Sequence, residues 1–434
     1  MSVIVLAGRK WNHLERVASA PTPETADSRY PIANLANGLP WEPFRFGSAG
    51  GSGYIDFDLQ QIPNGEGEAA LVGGLPAAGW AKSSGATLVR DTTIKNGGAA
   101  SIKLTASASG DGFWYDLQVR PGEWFNLHAA VRSHAFMGTT ASVRVRNLAT
   151  GKYLGTIGVG GAGPWYTAVT DFVNNTDTTW VTKQSALHLY QVEGWDACRQ
   201  DVVTLRVECR ASSTPAGDIW FDDLVYTPEV DLVALLGHDA PPVCGYLQIL
   251  SDATSPASTV RATLPINPTW GTSWVVVPEA SRQHRYFRFA PQADPLERAL
   301  TLGELVFAQR RALLSYPNQG RRLRLLDPRE RQETPAGEFT ATPRGARGRH
   351  ELAFDLDLLR TATEDQRAEL REVFQRSRGG AYPLLVIIDD TVTDGSGCML
   401  VRSEDEVELS ERSDALDRTQ LRLKELPLLP VRTP

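Results

Sequence analysis

Cysteine and methionine are scarce in this chain, four and three among 434 residues, and the cysteines (Cys198, Cys209, Cys244, Cys398) lack the close spacing of a metal site. They are also too few to staple a chain of this length, so a disulfide framework is excluded. Cys198 and Cys209 stand near enough in sequence to pair; free thiols kept reduced are the preferred reading. No stretch of about 18 apolar residues occurs, which excludes a membrane-spanning helix. The start, Met1 to Lys10, is apolar for only a few residues and has no basic opening, so it reads as a strand rather than a signal peptide. A protein of this kind working outside a bacterium would leave by lysis or a dedicated machine. His-Glu-x-x-His, Gly-x-Ser-x-Gly and phosphate-loop patterns are missing and the seven histidines are scattered, so no enzyme is expected. The formal charge of −7 argues against a nucleic-acid partner, which would need a basic excess.

What is abundant is punctuation. Thirty-eight glycines and 27 prolines separate short alternating runs, the pattern of β-sandwiches. The fold class expected is therefore mainly β, several sandwiches with a small α+β unit at the end. One helix is expected: Thr363-Glu364-Asp365-Gln366 forms a capping box, Leu370, Val373 and Phe374 give a helical stripe, and Gly379-Gly380 stops it, so it should span about 364–378.

Two strand patterns, Tyr54 to Leu59 and Asp231 to His238, look like neighbours in one sandwich, yet the whole of 60–230 lies between them. That interval has its own strand series and tryptophans, so one domain is expected to sit in a loop of another. The division is 1–24, an arm belonging with the last unit; 25–76 with 229–312, a split sandwich; 77–228, the insert; and 313–434, an α+β unit.

Within the insert, Phe113, Leu117 and Val119 alternate with Trp114, Asp116 and Gln118, and Phe125, Leu127, Ala129 and Val131 alternate with Trp124, Asn126 and His128. Joined through a hairpin at Pro121-Gly122, the two polar sets would form one surface of flat rings and planar polar groups, suited to stacking on sugars and binding their hydroxyls. The alternative is a polar sheet face packed on a neighbour. Trp165, Tyr166 and Trp195 fall in loop-like sequence and are further ligand candidates.

Gly79-Trp80, Gly97 to Leu104, Val119 to Phe125, Thr179-Trp180 and Trp220-Phe221-Asp222-Asp223-Leu224 occur in the order found in CBM4/9-like jelly-roll carbohydrate-binding modules, which the insert resembles. That resemblance places Trp180 and Trp220 in or near the core and implies polysaccharide as a partner and a structural calcium ion near Asp222, although Asp222 and Asp223 alone are far short of six to eight oxygen ligands; no cofactor is required. Ala33-Asn34-Leu35, Trp41, Tyr54 to Leu59, Val233 to His238 and Arg285 to Phe289 resemble a discoidin-type sandwich of phage tail proteins. Arg349 to Leu356, the helix, Gly379 to Leu384 and Leu421 to Leu426 are similar to scaffold domains of siphophage baseplate and distal tail proteins. Together these resemblances imply a virion structural protein at a tail tip, ring-forming with itself and contacting tail tube, hub and fibres, with no membrane insertion. The Arg-rich tract from Arg310 to Arg331, with the later Arg344, Arg347 and Arg349, against the acidic 404–417 would then pair between subunits. The alternative is a secreted or surface carbohydrate-binding protein. A glycoside hydrolase with ancillary modules would need a catalytic domain that the sequence does not display.

Overall fold

The structure is a computed structural model. It describes residues 3–6, 11–37, 42, 44–47, 53–119, 123–134, 140–154, 165–166, 169, 171–188, 203–211, 217–238, 246–265, 272–292, 300–309, 312–314, 322–326, 329–333, 339–343, 349–359, 370, 383–387, 398–403, 409–413 and 416–425. The chain is mainly β, built from antiparallel sheets. The expected helix at 364–378 lies outside the described residues except for Leu370, which is helical and buried. Among the described residues no helix is long and apolar enough to cross a membrane.

The insert is a two-sheet sandwich. A seven-stranded sheet runs Trp165–Tyr166, Tyr153–Leu154, Ala141–Asn147, Val203–Ala211, Gly112–Val119, Trp80–Lys82, with Val173–Asn175 also pairing Ala141–Asn147. A five-stranded sheet runs Val181–His188, Trp124–Arg132, Asp218–Pro228, Ser101–Ala106, Ala86–Asp91. Its strands bury alternate side chains because each sheet has one face on the shared core. Phe113, Leu117 and Val119 meet Phe125, Leu127, Val131, Phe221 and Tyr226 there, and Phe125 stacks on Tyr226 with ring centroids 4.6 Å apart. From Gly112 onward the long strands alternate between the sheets, the jelly-roll way of winding a sandwich. Cys209 lies in this core as a free, buried thiol, which speaks against the pairing with Cys198; Cys198 itself lies outside the described residues.

Strands from either side of the insert share two further sheets. Ile55–Asp58 pairs Tyr286–Gln292, and Phe44–Arg45 pairs Thr301–Ala308. The second core, with Phe44, Phe57, Val233, Leu235, Phe287, Phe289 and Phe307, fills the space between them. Val3–Leu6 sits between Ala312–Leu314 and Leu384–Ile387, so the first strand of the chain completes a sheet built otherwise from its last third. A third apolar cluster joins this sheet to the split sandwich: Leu232, Ala234, Leu236 and Trp274 pack with Leu385, Ile387, Cys398 and Leu400. Side chains of the Arg-rich tract and of 404–417 lie outside the described residues, and with them the expected charge pairing.

Candidate functional site

The single surface expected across Pro121-Gly122 does not form. Residues 120–122 lie outside the described residues, but the strands they join belong to opposite sheets: Gly112–Val119 pairs Val203–Ala211, whereas Trp124–Arg132 pairs Val181–His188 and Asp218–Pro228. The parity within each strand is as the alternation indicates. The chain therefore changes sheet between them, and the two polar sets look out from opposite sides of the sandwich.

On the seven-stranded side the three candidates are already engaged. Register places Trp114 opposite Glu208, Asp116 opposite Arg206 and Gln118 opposite Thr204. Arg206 grips Asp116 through Nε at 2.7 Å and Nη2 at 2.8 Å, and its guanidinium lies 5.2 Å from the Trp114 ring centroid. Gln118 Nε2 donates to Thr204 Oγ1 at 2.9 Å. Hydrogen bonding to Asp116 raises the Arg206 pKa above its ordinary value. A ring face covered by a guanidinium is not open to a pyranose. Arg144 with Asp171 and Arg210 with Glu208 continue this row of ion pairs. It reads as a solvated, self-paired sheet face.

The five-stranded side differs. Trp124 is 39% exposed, and Asn126 and His128 follow on the same face, half-buried. Gln184 lies directly opposite His128 in the neighbouring strand and is exposed, as is Thr182 one pair further on. Directly paired side chains stand about 5 Å apart, so these groups make one continuous patch. The backbone of Trp124 is fixed at both ends: its N–H donates to Gln309 Oε1 at 2.8 Å and its carbonyl accepts from Glu229 N at 2.8 Å. Beyond His128 the patch is closed by the 94–97 loop, where Asn96 Nδ2 reaches Asp223 Oδ2 at 2.6 Å and Thr182 Oγ1 at 3.5 Å. Trp220 lies past that loop. It is buried, as expected, but on the outer face: Arg132 stands 5.6 Å from its ring centroid and its Nε1 donates to Asp91 Oδ2 at 2.9 Å. Sequence alternation reached Trp124, Asn126 and His128 and missed Thr182 and Gln184, whose parity is legible but whose sheet partner is not.

Trp165 and Tyr166 form a short edge strand against Tyr153–Leu154, with their side chains outside the described residues; Trp195 lies outside them altogether. Asp222 is buried and serves as a loop anchor. Its Oδ2 accepts from Asn96 N at 2.8 Å and Gly97 N at 3.3 Å, and its Oδ1 from Asp223 N at 2.8 Å. Burial pushes its carboxyl up to about 7, against the pull of the Asn96 amide. Lone pairs that face N–H donors are not offered to a cation, and among the described residues no three His, Cys, Asp or Glu side chains converge as a metal site. Asp222 is therefore committed to the loop rather than to a cation. Ser251 Oγ lies 2.9 Å from His284 Nδ1, but the Asp252 carboxylate is turned onto Ser258 and Thr259 amides, so no nucleophile relay is assembled.

No protein-family model matches the chain, and no curated protein matches it by sequence. Solved structures similar to it include carbohydrate-binding modules and an α-L-arabinofuranosidase. They include the CBM22-1 xylan-binding domain of Paenibacillus barcinonensis Xyn10C, at 13% identity over 42% of this chain and 97% of that one, with a TM-score of 0.26. A C-terminal family 22 module of Clostridium thermocellum Xyn10B gives 11% identity over 35% and 86%, TM-score 0.25. A CBM4 structure gives 16% over 39% and 99%, also at 0.25. Likenesses this faint transfer no ligand to this chain.

Proposed function

We propose that the protein is a non-catalytic, multidomain β protein whose insert contacts polysaccharide through the five-stranded face. The observation that carries this reading is the in-register patch of Trp124, Asn126, His128 and Gln184: one exposed indole beside planar polar groups, with its backbone anchored. A saccharide ring would stack on Trp124 while its hydroxyls exchange hydrogen bonds with Asn126, His128 and Gln184. The opposite face, with Trp114 covered by Arg206, takes no part. Binding at a single shallow patch is weak, and function would then depend on several copies acting together. The test is retention on a panel of immobilised polysaccharides, wild type against Trp124→Ala. Retention lost in the variant, with its melting temperature unchanged, supports the patch; a wild-type protein retained on none of the panel overturns it.

A second, finer reading places the chain in the tip of a phage tail as a ring-building scaffold. It is favoured by the first strand, Val3–Leu6, closing a sheet made from the last third of the chain, so that the arm and the C-terminal unit act together. Light scattering and negative-stain microscopy of the purified protein test it: closed rings support the scaffold, and a monomer at all concentrations refutes self-assembly.

A further inference from the structure

We propose that the insert is held to the split sandwich by a breakable buried latch, Arg16 with Glu123, and can undock as a unit while the remaining contacts of the chain stay closed. The two junctions of the split sandwich differ in kind. Toward the C-terminal sheet it is joined by apolar side chains, Leu232, Leu236 and Trp274 against Leu385, Ile387 and Leu400, and by Thr272 Oγ1 donating to the Cys398 carbonyl. Toward the insert, no apolar cluster among the described residues crosses the junction: one core draws on 62–226 alone, the other on residues up to 59 and from 230 onward.

What crosses instead is polar: the half-buried pair of Arg285 with Glu66 and, more deeply buried, that of Arg16 with Glu123. Arg16, on the short 3-10 helix His13–Arg16 of the N-terminal arm, reaches into the insert, where its Nη2 meets Glu123 Oε2 at 2.7 Å and its Nη1 donates to the Gln118 carbonyl at 3.2 Å. Both side chains are almost wholly buried, 3% and 1% exposed. Tyr226 Oη donates to Glu123 Oε1 at 3.1 Å. His13 Nδ1 lies 2.6 Å from Arg16 Nη2; a guanidinium can only donate, so Nδ1 accepts, and Nε2 carries the proton to the Glu229 carbonyl at 3.2 Å. Around this knot Arg16 Nε, Gln60 Oε1 and both side-chain polar atoms of Gln61 are buried with no partner among the described residues. A buried ion pair brings little net stability over a solvated one, but removing one member leaves the other charged and unpaired. A junction of this composition is close to balanced when shut and opens when the pair is broken. The apolar junction lacks that property.

Glu123 immediately precedes Trp124, so the latch also sets where the proposed binding strand begins; the undocking itself does not depend on what the insert binds. Hydrogen exchange on the full chain tests it. The reporters are the amides of Trp124, bound to Gln309, and Ala18, bound to the Gln60 carbonyl; the controls are Val207 in the insert sheet and Phe289 in the split sandwich. Glu123→Gln keeps the shape and removes the charge, and should speed exchange at the reporters at least tenfold with the controls unchanged. Arg16→Met, which deletes the guanidinium from the other side, should give the same pattern and carries the test if the first variant does not fold. Reporters still protected in the folded variant, or controls accelerated equally, would overturn the latch.

Discussion

Glu304 offers the sharpest test of how the polar groups buried in this fold behave. It lies in the middle of Thr301–Ala308, is fully buried, and shares its strand face with Val306 and Ala308, which pack in the apolar cluster facing the C-terminal sheet. Its Oε1 accepts from Asn12 Nδ2 at 3.3 Å, while Oε2 has no partner among the described residues. Burial, helped by the charge of Glu15, pushes the carboxyl up to about 8 from its ordinary 4.5. The folded protein therefore holds this proton more tightly than the unfolded chain does. Stability is fully present below about pH 4.5 and is lost as pH rises toward 8, because folding must then either take up a proton or bury a charge. At about 1.4 kcal/mol per tenfold change in proton affinity, the loss is on the order of 5 kcal/mol. Glu304→Gln, neutral at every pH and able to keep the Asn12 bond, should match the wild type near pH 5 and exceed it by a few kcal/mol at pH 9. Urea midpoints at pH 5, 7 and 9 measure this. Parallel curves for the two proteins, or a Gln variant weaker at pH 9, would show that Glu304 is ionised and paired and would refute the reasoning.

Arg206→Ala on the self-paired face should leave polysaccharide retention unchanged and lower stability by about 1 kcal/mol or less, the ordinary worth of an accessible ion pair, as read by chemical denaturation. A chelator should leave the melting temperature where it is, since the Asp222 oxygens face amides; a fall on chelation that calcium reverses would reinstate the ion. Gly65→Ala would bring a methyl within 2.1 Å of the Leu224 carbonyl oxygen, backbone against backbone, and should cost roughly 1–3 kcal/mol in a thermal melt; an unchanged melt would mean that the turn adapts freely.

Why some of this was legible in the sequence and some was not follows from the range of the interactions. Alternation is a property of one strand: Phe113, Leu117 and Val119, or Phe125, Leu127 and Val131, declare their buried side whatever lies next to them. Which sheet a strand joins is decided by partners far away in the chain. Pro121-Gly122 has the composition of a hairpin turn, and nothing local says that the strands on either side of it belong to different sheets. The residue that marks the crossing is Glu123, a carboxylate beside a turn that ought to be solvated and is instead 2% exposed. Its partner Arg16 is 107 positions away, in a segment read only as an arm. The same holds for the binding patch, where Gln184 meets His128 only because Val181–His188 joins the five-stranded sheet. Interruption of a sandwich between Tyr54 to Leu59 and Asp231 to His238 leaves a local trace, because each half keeps its own alternation; the polar knot that fastens the interrupting segment leaves none, because Arg16, Glu123 and Tyr226 each look ordinary until they meet. The residues that decide how this protein presents its candidate face are therefore those whose burial contradicts their local sequence, and Glu123 and Arg16 are the pair whose substitution separates a latched insert from a merely attached one.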